Sequence, residues 1–160
     1  MPSLVEINRE KVIPGEIRGR KVVAIGVSAF AGRSALFSNK TLTSVIIPDS
    51  VVTIRTAAFA YCKSLKYVYI SKNIQVIGYN AFLGDTQLER IDFGDGAPLP
   101  GVVKFPPGLQ QIGCTAFSVV SQTHTYLREI TISRKTKVSN FPGLNTFRGC
   151  AVFYYEDQRK

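Results

Sequence analysis

Apolar residues recur along this chain as a nine-residue phrase. Val22 to Phe30, Val51 to Phe59, Ile74 to Phe82 and Leu109 to Phe117 each open on an aliphatic residue, place another three positions later, and end in Ala-Phe. A degenerate fifth copy runs from Val138 through Phe141 to Phe147. A second phrase, Leu-x-x-Val-x-Ile, alternates with the first. It is carried by Leu42, Val45 and Ile47, then Leu65, Val68 and Ile70, then Leu88, Ile91 and Phe93, and finally Leu127, Ile130 and Ile132. The alternation in its second half predicts a short strand with one face buried.

The phenylalanines that close these phrases (Phe30, Phe59, Phe82, Phe117, Phe147) are 29, 23, 35 and 30 residues apart. The unit is 23 residues, and the excess falls between repeating positions, in inserts at 31–41, 94–106 and 118–126. One such unit cannot bury its apolar side alone. Stacked units share a continuous core, each touching mainly its neighbours. The expected fold is therefore an α/β repeat solenoid bent into a short right-handed arc. A parallel sheet should line its concave side, with short helical or 3₁₀ turns at the Ala-Phe segments on the convex side. Residues 1–21 are expected as an N-terminal strand or hairpin cap, 22–155 as about five repeats, and 156–160 as a polar tail. Gly26, Gly78 and Gly113 share one position, which suggests a tight or positive-φ backbone; Arg55 occupies it in the second copy.

Ile47-Pro48-Asp49-Ser50-Val51-Val52-Thr53-Ile54, followed by Ala58-Phe59-Ala60-Tyr61-Cys62, resembles the BspA-like leucine-rich repeat of bacterial and protist surface proteins. The likeness covers about residues 12–155. It implies a leucine-rich repeat solenoid and a non-enzymatic recognition or adhesion module for a protein or glycan ligand, at the cell surface or secreted. It also places Cys62 and Cys150 at a buried position. Cys114 falls at a variable, more exposed convex position, which makes it the candidate reactive thiol.

Composition removes most chemistry. There is one histidine, His124, and there are three cysteines without a Cys-x-x-Cys pair, so neither a multi-histidine metal site nor a zinc ribbon can be built from the chain. No nucleophile motif accompanies His124. Gly26 to Ser34 has the wrong length for a phosphate loop. The expectation is no enzyme, no cofactor and no metal. Asn39-Lys40-Thr41 fits an N-glycosylation sequon. The formal charge of +9 favours acidic partners. Its tightest groups, Arg18-Gly19-Arg20-Lys21 and Arg134-Lys135-Thr136-Lys137, are short and lack interleaved aromatics.

The outward strand residues give the candidate ligand-binding face: Ser44 and Ile46, Tyr67 and Tyr69, Arg90 and Asp92, Glu129 and Thr131. Tyrosines beside an arginine are typical of interface hot spots. The same residues also read as a cross-strand packing ladder, with Tyr69 over Ile46. Two other readings stay open. One is anionic-polymer or nucleic-acid binding by the basic groups. The other is self-association through the solenoid ends, where Phe153-Tyr154-Tyr155 could stack on another chain.

Overall fold

The two phrases fold into two kinds of strand. A computed structural model describes residues 10–34, 36–94, 99–118, 127–139, 146–147 and 151–155. The strands are β1 (Glu10–Val12), β2 (Glu16–Ile17), β3 (Arg20–Lys21), β4 (Ala24–Ile25), β5 (Ser44–Ile46), β6 (Thr53–Ile54), β7 (Tyr67–Tyr69), β8 (Val76–Ile77), β9 (Arg90–Asp92), β10 (Val102–Lys104), β11 (Gln111–Ile112), β12 (Glu129–Ser133), β13 (Lys137–Val138) and β14 (Ala151–Tyr155). The Leu-x-x-Val-x-Ile phrases supply β5, β7, β9 and β12. The openings of the Ala-Phe phrases supply β4, β6, β8 and β11.

Both kinds stack in parallel. Strands β1-β5-β7-β9 pair in order, followed by β10-β12-β14, on the first side of the solenoid. Strands β4-β6-β8-β11-β13 pair on the second side. The registers Val45↔Val68↔Ile91 and Val103↔Ile130↔Val152 put equivalent apolar residues one above the next. Val45, Val68, Val103 and Ile130 are fully buried. An antiparallel hairpin, β2–β3, lies between β1 and β4. Its two-residue turn, Arg18-Gly19, has positive φ at both positions, as a type I′ turn requires.

Between the two sheets runs a column of rings. Phe30, Phe59, Phe82, Phe117 and Phe147 stack with centroids 5.1, 5.2, 5.2 and 5.9 Å apart and interplanar angles of 14° or less. The spacing is close to that of paired strands, about 4.8 Å, so one ring fits each turn.

The Ala-Phe segments differ from the expected helical or 3₁₀ turns: among the described residues no helix is present. The residue before each Ala-Phe is left-handed, with φ of 53° at Ser28, 56° at Ala57, 57° at Asn80 and 56° at Thr115. That conformation breaks a right-handed helix at each turn. The backbone groups are satisfied differently. Ala58 and Ala60 N–H donate within their own turn, to Arg55 and Ala57 C=O, while Ala57, Phe59 and Tyr61 N–H donate to Tyr79, Ala81 and Leu83 C=O of the next turn. Alternate bonds thus close the turn and join it to its neighbour.

The glycine position is tight, but it is not left-handed. A Cβ on Gly113 would lie 2.4 Å from Tyr79 N, and one on Gly78 would lie 2.7 Å from Thr56 N. Gly26, in the first turn, would meet nothing within 4 Å. The constraint is therefore close approach between turns.

Within the segment expected as an insert at 94–106, residues 102–104 form β10. Gly101 N–H donates to Glu89 C=O at 2.7 Å, which brings β10 alongside β9. Strand β11 nevertheless pairs directly with β8, and Phe117 stacks directly on Phe82. Among the described residues the first side therefore carries seven strands against five on the second. A regular solenoid of this length would carry six, so β10 is a wedge. Phe105 fills it, with its ring tilted between Phe93 and Phe117 at 5.4 and 5.6 Å.

Cys62 is buried, and its thiol lies 3.2 Å from the Phe30 carbonyl oxygen, to which it donates. Cys114 departs from expectation. It is buried at 3% exposure, so it is not an accessible thiol. The last turn closes over this stretch through Thr146, whose hydroxyl donates to Ser139 C=O at 2.7 Å and lies 3.4 Å from Gly113 C=O. Asn39 of the sequon is occupied: its Nδ2, the atom a glycan would modify, donates to Phe30 C=O at 3.1 Å, and its Oδ1 accepts from Thr41 and Leu42 N–H. Cys150, His124, Phe141, residues 119–126 and the 156–160 tail lie outside the described residues.

Asp85 occupies the register of Cys62 one turn later and is almost fully buried. Its Oδ1 accepts from Cys62 N–H at 2.8 Å, and its Oδ2 has no partner among the described residues. Burial holds its pKa well above the ordinary carboxylate range, against the opposing bond from Cys62. The folded state therefore binds this proton more tightly than the unfolded chain. Its contribution to stability is fully present below about pH 4 and declines as pH rises through the folded value. Asp85→Asn keeps an acceptor for Cys62 and removes the charge. We expect a higher melting temperature at pH 7, with the gain shrinking towards zero as pH is lowered to about 4. A pH-independent difference in thermal melts would contradict this account.

Candidate functional site

The outward residues of the first side form two parallel rows. Register pairs Glu10, Ser44, Tyr67 and Arg90 in one row and Val12, Ile46, Tyr69 and Asp92 in the other. Ser44, Ile46, Tyr67, Tyr69 and Asp92 are half-buried, and Arg90 is exposed. The structure therefore brings six of the eight sequence candidates together. Glu129 and Thr131 stand apart. Strand β10 lies between, and they pair with Val102 and Lys104.

The tyrosines are held by carboxylates. Tyr67 Oη donates to Asp92 Oδ2 at 3.2 Å, one strand over, and Tyr69 Oη donates to Asp49 Oδ1 at 3.2 Å, in the turn after β5. Asp92 is itself fixed, because its Oδ1 accepts from Gly94 N–H at 2.7 Å. The φ of 82° at Gly94 and the nearness of Tyr69 Oη, 3.2 Å from where a Cβ would sit, leave glycine as the residue that fits. Burial raises the Tyr67 pKa, and so, in turn, do the Asp92 charge, its hydrogen bond, Tyr69 and Glu10. The phenol stays protonated and donating at neutral pH. Two aromatic rings are thus pre-positioned at the centre of a face rimmed by Glu10, Asp49, Asp92 and Arg90.

Several residues of this face escaped the sequence pattern: Glu10, Val12, Asp49, Gly94, Val102 and Lys104. The signal for two of them, Val12 and Lys104, was present. Val12-Ile13-Pro14 matches Ile46-Ile47-Pro48, and Val103-Lys104-Phe105-Pro106 matches Val45-Ile46-Ile47-Pro48, so a strand precedes each proline.

The basic groups are separated. Arg18, Arg20 and Lys21 belong to the hairpin leading into β4, while Lys137 begins β13, at the other end of the second sheet. Four strand spacings, about 19 Å, divide those ends. Arg134 stacks on Tyr154, its guanidinium carbon 5.7 Å from the ring centroid. Among the described residues there is no group of three or more metal-ligating side chains, and no helix is long and apolar enough to cross a membrane.

Comparison with known proteins bears on this geometry. The model of the BspA type leucine rich repeat region matches residues 25–98, in six copies. A leucine rich cell surface protein from Faecalibacterium prausnitzii A2-165 superimposes with a TM-score of 0.62 at 26% identity, over 92% of this chain and 32% of its own. A leucine-rich repeat protein from Bacteroides ovatus ATCC 8483 aligns over 92% of this chain and 63% of its own, at 17% identity and a TM-score of 0.30. No curated protein matches the sequence. The chain thus spans about a third of the length of the Faecalibacterium protein. Its repeats, seen first as recurring phenylalanines and then as a double parallel ladder, are a leucine-rich repeat β-solenoid, and residues 25–98 are BspA-type leucine-rich repeats.

Proposed function

We propose that this chain is a non-enzymatic recognition module that binds a protein or glycan ligand through the outer face of its first side. In this reading the solenoid is a short right-handed arc with that face concave, and the module works in adhesion at a cell surface or after secretion. Ser44, Ile46, Tyr67, Tyr69, Arg90 and Asp92 form the contact centre, with Glu129 and Thr131 beyond β10. The supporting observation is the pair of tyrosines pinned by Asp92 and Asp49. Ordering these rings before binding lowers the entropy lost on association, and tyrosine beside arginine suits a hot spot. The likeness to a cell surface protein supports the location.

The test uses the whole chain on an array of purified matrix proteins and glycans, compared with the double variant Tyr67→Ser, Tyr69→Ser. The double variant should lose the array signals of the parent. It should remain folded, because each lost surface hydrogen bond costs only about 1 kcal/mol. Retention of every signal by a folded double variant would reject the face.

A further inference from the structure

The second side carries a different feature. Val51, Ile74, Leu109 and Thr136 are equivalent: each donates its N–H to the residue three before it, namely Pro48, Ser71, Pro106 and Ser133. The next core residue follows three positions later at Ile54, Ile77 and Ile112, but only two later at Val138, which pairs with Ile112. The turn into β13 is thus one residue short. Lys137 N–H bonds to Gln110 C=O at 2.8 Å, and the position that would stack over Gln110 is missing.

A groove of about 530 Å³ opens there, lined by Val76, Pro107, Gln110, Gln111, Lys135 and Lys137, with Gly108 and Leu109 completing its wall. Such a volume lies within the range of small-ligand clefts, ~300–1,000 Å³. Among the described residues its lining includes two lysines and no Asp or Glu. Its two carboxamides each offer a donor and an acceptor, which suits hydroxyl groups, whereas a bare anion uses donors alone. Val76 and Pro107 give an apolar surface for the C–H face of a ring. Among the described residues no aromatic lines it, so these residues offer no base-stacking platform of the kind a single-strand nucleic-acid site uses.

We propose that this groove is a second binding site, separate from the tyrosine face, for an anionic saccharide unit bearing a carboxylate or sulfate. Lys135 and Lys137 take the charge, and Gln110 and Gln111 take the hydroxyls. The proposal is independent of the reading of the first side.

The test is a titration of the full ¹⁵N-labelled chain, following the Gln110 and Gln111 side-chain amide signals. The probes are methyl glucuronide, glucose 6-sulfate, methyl glucoside and acetate. One or both anionic sugars should shift those signals saturably, and which one does so identifies the acid group. The neutral sugar and acetate should bind about tenfold more weakly or worse. Lys135→Gln with Lys137→Gln should weaken the anionic sugar by about tenfold, as loss of charge-assisted hydrogen bonds does. Tyr67→Ser with Tyr69→Ser should leave this binding unchanged. The proposal is overturned if neither anionic sugar shifts the signals, if acetate binds as well as they do, or if the folded lysine variant binds equally.

Discussion

Phe82→Ala should destabilise the chain by about 3–5 kcal/mol, the range for removing a buried aromatic side chain. The ring is 1% exposed and lies between Phe59 and Phe117 at 5.2 Å on each side. The loss has two parts: transfer of the ring out of the core, and the void left between two rings that the backbone ladders hold apart. Bonds such as Phe59 N–H to Ala81 C=O and Phe82 N–H to Ala116 C=O keep the turns at their spacing, so the gap cannot close by sliding. Phe30→Ala should cost less, because Phe30 is only partly buried and, among the described residues, stacks on Phe59 alone. Urea unfolding of both variants measures the difference. Equal losses would mean that the column is not the continuous element described above.

Gly113→Ala is the second large effect, and it comes from adding an atom. The new methyl would sit 2.4 Å from Tyr79 N and 2.6 Å from Gly78 C, both backbone atoms with no rotamer to yield. Two turns must separate locally, straining the Gly113 N–H bond to Ile77 C=O, now 2.8 Å, and the expected cost is about 3 kcal/mol, at the upper end for overpacking. Gly26→Ala is the matched control. It stands at the same repeat position with no atom within 4 Å of the added methyl, and it should change stability by about 0.5 kcal/mol or less in thermal melts. A tolerated Gly113→Ala would show that the turns are less closely apposed than these distances state.

The contrast between these glycines explains much of what the sequence revealed and what it hid. The repeat was legible because burial recurs: Val45, Val68 and Ile91, or Phe59 and Phe82, occupy the same environment one turn apart, and equal environments select equal residues. The left-handed position before Ala-Phe was hidden because four different residues fill it, Ser28, Ala57, Asn80 and Thr115, and the inter-turn hydrogen bonds that impose it leave no mark on residue type. Helical turns were expected for that reason. Strand β10 was hidden because the 94–106 stretch is rich in glycine and proline, and its strand spans only Val102–Lys104. At the tyrosine face, alternation gave the outward residues, but the clamps from Asp49 and Asp92 depend on which strands become neighbours. Burial of Cys114 was hidden because its position is outward in the other copies, at Val27, Thr56 and Tyr79.

The wedge at β10 gives the stack a built-in fault line. On the first side the hydrogen-bonded run stops after β9 and resumes at β10, while on the second side it passes from β8 to β11 without interruption. Neighbour-to-neighbour coupling carries cooperativity along a solenoid, so melting should not travel evenly from end to end. Fraying that starts at either terminus meets a weakened joint at Glu89–Gly101 on one side only, and there the rod can hinge open like a book whose spine is the unbroken second sheet.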